Sequence, residues 1–107
     1  MTIPAMSEQE RAIRLRLDDA VARMQTGLHR CPSIDELDFT DLASAAATVA
    51  ATNRALREAA GLARSLERLD DLTAEAMQIL LACRMAFTVV REVLTVLSAE
   101  IDIRSAA

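Results

Sequence analysis

Between Leu80 and Ile101 apolar side chains return at spacings that alternate 3 and 4 without a miss: Leu80, Cys83, Phe87, Val90, Leu94, Leu97 and Ile101. A strand would show period two, so this line is one face of a long helix. A second apolar line runs beside it, Ala82, Met85, Val89, Val96, Ala99 and Ile103, broken by Glu92. The polar stripe left over is narrow: Arg84, Thr88, Arg91, Thr95, Ser98 and Asp102. The pattern predicts a helix over about 73–104 that is buried around most of its circumference and forms the centre of the core.

Two further helices follow from caps and periodicity. Ser7-Glu-Gln-Glu10 has capping-box spacing, with a hydroxyl for one orphan N–H and a carboxylate reaching back for another. The stripe Ile13, Leu17, Val21, Met24 and Leu28, with Ala20 beside it, carries this helix to about 30, where Pro32 stops it. Glu10 and Arg14 stand at the favourable i,i+4 spacing. Ser33 to Asp38 reads as a short helical turn. A second long helix is predicted over about 40–69, with its seam at Phe39, Leu42, Ala46, Val49, Asn53, Leu56, Ala60 and Ala63. Gly61 is a candidate bend. Thr73 is the cap of the third helix, and Leu72 with Met77 has the spacing of a hydrophobic staple.

Composition agrees with helices alone. The chain has 107 residues, 52% of them hydrophobic, and only two Gly and two Pro to punctuate it. Aromatics amount to 2%, and every basic residue is Arg, so the β-branched, aromatic and turn-rich vocabulary of a sandwich is missing. The expectation is one all-α domain, residues 1–107, folded as an up-down-up three-helix bundle of long antiparallel helices that associates into a larger, coiled-coil-like bundle. In that topology Cys31 and Cys83 lie on the order of 30 Å apart, against a limit of about 7 Å between Cα atoms for a disulfide.

Several function classes lose ground here. Net charge is −4 with Arg interleaved among Asp and Glu, so no basic patch for nucleic acid or for an anionic membrane surface is expected. Met1–Glu10 lacks the basic and apolar regions of a secretory leader, and Arg84, Arg91 and Glu92 interrupt the longest apolar stretch, so a cytoplasmic protein with no membrane span is expected. His29-Arg-Cys31 offers two metal ligands where a structural zinc needs four. The only His has no Glu three residues before it, as a di-iron bundle requires. The carboxylates Asp35, Glu36, Asp38 and Asp41 suit a helix N-terminus and lack the calcium-loop Gly. No catalytic, cofactor-binding or metal residues are assigned, and an enzyme is not expected.

What remains is a surface. Leu42 to Asn53 carries no charge over twelve residues, and its small side chains would let another helix approach closely. With the second line of the third helix, this points to a protein–protein interface at Ala47, Thr48, Ala51, Asn53, Met85, Val89, Val96 and Ile103. Asn53, on the seam, is placed to fix register if buried. The expectation is a small interaction module, an adaptor, regulator or assembly component that forms a homodimer or binds a helical partner protein. The alternatives are an acidic bacterial secretion or assembly chaperone or inhibitor, and a small helical enzyme whose Arg14 and Arg91 bind an anion.

Overall fold

The computed structural model describes residues 6–106. The absence of a leader was read partly from residues 1–5, which lie outside the described residues. Three helices run α1 (Glu8–Arg30), α2 (Leu42–Glu67) and α3 (Ala74–Ala106), and 3-10 turns at Ile34–Glu36 and Phe39–Asp41 bridge the first two. No strand occurs among the described residues, and the helices pack as a three-helix bundle.

The predicted caps are largely present. The Ser7 hydroxyl accepts from the Glu10 N–H at 3.1 Å. The other half of the capping box does not form, because the Glu10 carboxylate is used across the bundle. It accepts from the Thr73 backbone N–H at 3.1 Å and from the Thr73 hydroxyl at 3.3 Å. Thr73 Oγ1 in turn accepts from the Ala76 N–H at 3.2 Å, so one residue caps α3 and ties it to α1. Arg14 stands 3.7 Å from Glu10 and 2.9 Å from Glu75, closing the end where α1 and α3 begin side by side. This juxtaposition fixes the up-down-up order. Met77, the proposed staple partner of Leu72, stays mostly exposed. In the turn between α2 and α3, Asp71 takes a left-handed φ of 57°, a conformation that Asp tolerates better than most residues.

The core is a single file of layers. From α1 it takes Leu17, Ala20 and Met24, with Ile13, Val21 and Leu28 partly buried. From α3 it takes Leu80, Cys83, Phe87, Val90, Leu94, Leu97 and Ile101, the whole predicted seam. The α2 seam is displaced from the expected one. Ala45, Val49, Thr52, Leu56, Ala59, Ala63 and Leu66 are buried, whereas Ala46 is exposed and Asn53 and Ala60 are half-buried. A run with alanine at most positions has no strong apolar phase, so packing rather than the seam pattern chose the rotation. The side chain of Phe39 lies outside the described residues. The helix continues through Gly61 without a break.

Two expectations about α3 are corrected. It is buried along one stripe only, and α2 rather than α3 is the middle element, packed on both others. The reason is the shape of the molecule. Its extents are 65 × 18 × 18 Å, and its radius of gyration is 17.1 Å against about 13 Å for an ordinary globule of this length. In a rod three helices thick, each helix turns one side inward and keeps an outer face.

Candidate interaction surface

The run of small residues in α2 turns only Ala45, Val49 and Thr52 fully inward, and Ala43, Ser44, Ala46, Ala47, Ala50 and Ala51 are exposed. Ala20 of α1 and Ala59 of α2 are both fully buried, and α1 lies closer to α2 than α3 does. At Gly27 the approach is tightest: a Cβ there would stand 2.2 Å from Thr52 Oγ1. Thr52 is 1% exposed, and its hydroxyl donates to the Thr48 carbonyl at 2.8 Å, which satisfies the buried group within its own helix. On its inward side the run admits the protein's own α1, through Thr52 against Gly27. Periodicity alone, which treats Thr as polar, passed over both Gly27 and Thr52.

The eight residues assigned to an interface do not form one surface. Ala51 lines the α1–α2 groove with Ala22, Thr26 and Gly27, and Ala47 is exposed on the same helix. Thr48 is half-buried, its hydroxyl donating to the Ser44 carbonyl at 3.0 Å. Asn53 sits half-buried in the groove between α2 and α3, beside Val49, Arg91 and Leu94. The other four, Met85, Val89, Val96 and Ile103, lie together on the outer face of α3 and are 67%, 58%, 55% and 65% exposed.

That outer face is longer than the four residues suggest. Met77, Leu81 and Val93 are exposed on it too, so large apolar side chains run from Met77 to Ile103, a length of about 39 Å. On a helical wheel the stripe stands opposite the buried seam. An isolated exposed Leu or Met is ordinary, but a row of seven along one helix is not. Glu92 interrupts the stripe, and no ion pair to it occurs among the described residues. Along one edge Pro32, Ser33 and Ile34 meet Val93, Val96 and Leu97 around an apolar groove of about 350 Å³. Arg104 tethers the Ile34–Leu37 turn to α3, donating to the carbonyls of Leu37 at 2.7 Å and Ile34 at 3.3 Å and pairing with Glu100 at 3.0 Å.

The total accessible surface is 7375 Å², against roughly 5,800 Å² expected for a folded monomer of 11.6 kDa. The excess reflects the elongated 65 × 18 × 18 Å shape, which exposes more surface than a globule of the same mass.

Polar chemistry elsewhere is dispersed. Arg23 pairs with Glu58 and Asp19 at 2.9 and 3.0 Å on the surface, and its hydrogen bond holds the Glu58 carboxyl below the ordinary value. Burial pushes the Cys83 thiol up, with the Asp18 charge adding to the effect. Both cysteines are free. Cys31 Sγ lies 3.9 Å from Thr52 Oγ1. Arg14 is engaged at the Glu10–Glu75 end, and Arg91 lines the α2–α3 groove, so the two do not share a site. No cluster of three or more metal-ligating side chains occurs among the described residues, and no described helix is long and apolar enough to cross a membrane. The chain matches no family model, no curated protein and no solved structure.

Proposed function

We propose that the chain is a helix-packing interaction module, an adaptor or assembly component, whose working surface is the outer face of α3. The observation that carries this reading is the apolar row from Met77 to Ile103, set opposite a complete core seam on the same helix. Water-facing apolar rows of this length cost solubility and are explained by a protein that covers them. Two free cysteines suit a reducing, cytoplasmic setting for that protein.

The test is the mass of the native particle. A fluorescently tagged chain at native abundance is followed in crude extract by sedimentation equilibrium, which is indifferent to the rod shape. The expected result is a particle heavier than the tagged monomer for the wild type and monomer mass for Val89→Glu. A wild-type chain already at monomer mass overturns the proposal.

A further inference from the structure

We propose that the groove between α2 and α3 is a binding site for a small phosphate monoester with an apolar body, held by Arg64, Arg84 and Arg91. The groove encloses about 390 Å³, within the span of about 300–1,000 Å³ usual for small-molecule sites. Its floor is apolar, made by Ala60, Ala63 and Phe87. Arg84 and Arg91 stand seven residues apart and so share one side of α3, and Arg64 lines the same groove from α2.

Along the chain these arginines alternate with acids, which is why no basic patch was expected. Packing changes their company. Glu92, next to Arg91 in sequence, lines the groove beside Pro32 and Ile34 instead, and Glu67 is the single carboxylate among the described residues that line the α2–α3 groove. Three guanidiniums against one carboxylate leave a surplus of two positive charges there, in a chain whose net charge is −4. A phosphate monoester carries about two negative charges at neutral pH and matches that surplus, whereas a monocarboxylate meets half of it.

The donors are prepared to different degrees. Glu67 accepts from Arg84 Nε at 3.0 Å and also from its Nη2, which orients the guanidinium and leaves Nη1 over. For Arg64 and Arg91 no ion pair occurs among the described residues. The planar fork of arginine suits paired phosphate oxygens. The Thr88 hydroxyl donates to the Arg84 carbonyl at 3.0 Å, so the guanidiniums are the donors left for a ligand.

A second groove, between α1 and α2, also carries three arginines, Arg23, Arg30 and Arg54. There Asp19 and Glu58 occupy Nε and both terminal nitrogens of Arg23, so two carboxylates offset the three cations and the surplus is smaller. The α2–α3 site lies on a different side of α3 from the Met77–Ile103 row, so the two readings stand or fall separately.

The test titrates the purified, nitrogen-15-labelled full chain with phenyl phosphate at neutral pH, followed by amide chemical shifts. Ionic strength is held constant so that general screening does not change. Saturable shifts around Ala60, Arg64, Thr88 and Arg91 are expected, with a Kd of about 1 mM or below. Combining Arg64→Gln with Arg91→Gln should weaken binding at least about 10-fold, with far-UV circular dichroism unchanged because both side chains are exposed. Arg30→Gln with Arg54→Gln, in the other groove, should bind as the wild type does. Benzoate has the ring with one charge, and inorganic phosphate has the charge without the ring. Each should bind at least about 10-fold more weakly than phenyl phosphate. No saturation by about 20 mM phenyl phosphate overturns the site, and so does undiminished affinity in the Arg64 and Arg91 double variant. Benzoate binding equally well overturns the phosphate assignment, and inorganic phosphate binding equally well overturns the apolar body.

Discussion

Replacing Gly27 with alanine sets two well-measured effects against each other. Alanine in a helix interior is worth about 1 kcal/mol over glycine, so propensity alone predicts stabilisation. The added Cβ, however, would lie 2.2 Å from Thr52 Oγ1, 3.1 Å from Thr52 Cβ and 3.3 Å from Thr52 Cα. The first of these is far inside contact distance, and the last is backbone that cannot swing away. Thr52 is fully enclosed, its rotamer is stiff, and its hydroxyl is held by the Thr48 carbonyl. Overpacking of this kind costs about 2–3 kcal/mol, toward the upper end of its usual span. The net expectation for Gly27→Ala is a loss of about 1–2 kcal/mol, or a fall in Tm of about 5–15 °C. Gly61, the other glycine, is the control. A Cβ there meets nothing nearer than Arg64 Nη2 at 3.8 Å, so Gly61→Ala should stabilise by about 1 kcal/mol. Urea unfolding followed by circular dichroism measures both, at one protein concentration so that any association contributes equally. Adding Thr52→Ala should recover about half or more of the Gly27→Ala loss, a coupling that a double-mutant cycle isolates. If Gly27→Ala stabilises the protein as much as Gly61→Ala does, the close crossing of α1 and α2 is wrong, and with it the account of the small residues.

Glu10→Ala would leave the Thr73 N–H without its buried acceptor and remove one of the two carboxylates beside Arg14, so it should cost about 1–3 kcal/mol in urea melts, while Glu8→Ala on the exposed side should be nearly neutral. The Glu58 carboxyl is lowered by Arg23, so its stabilising contribution is present above the ordinary Glu range and is lost as pH falls through the lowered value. Glu58→Gln should therefore flatten the acid limb of the stability profile slightly, and about 1 M NaCl should shrink the difference because the pair is exposed. The Cys83 thiol is raised by burial, so the folded protein should lose stability as pH climbs above the ordinary thiol range, and Cys83→Ala should remove that alkaline slope. Thiol titration of the native chain should label Cys31 well before Cys83, and equal rates would contradict the burial of Cys83.

How readily each helix could be read depended on how uneven its side chains are. In α3 the seam residues Leu80, Phe87, Leu94 and Ile101 are large, and all seven predicted positions are buried. In α1, Leu17 and Met24 anchored the stripe in the same way. In α2 the contrast between alanine and alanine carries no direction, so Ala46 and Asn53 were placed on a seam that in fact passes through Ala45 and Thr52. Glu10 illustrates a different limit. Its local partner was visible three residues away in Ser7, but the Thr73 N–H, 63 residues along the chain, was the stronger competitor for its carboxylate.

Chain composition and spacing by themselves determined that this protein is three long helices in alternating directions, because period and caps are local properties that each segment carries wherever it goes. They also marked the second apolar line on α3. Only the tertiary structure decided which apolar line turned inward and which helix sat in the middle. A slender rod of three helices has a single interior line to offer each helix, and the large residues of the Leu80–Ile101 seam filled it. Met85, Val89, Val96 and Ile103 were left facing water because α1 and α2 both lie on the opposite side of α3.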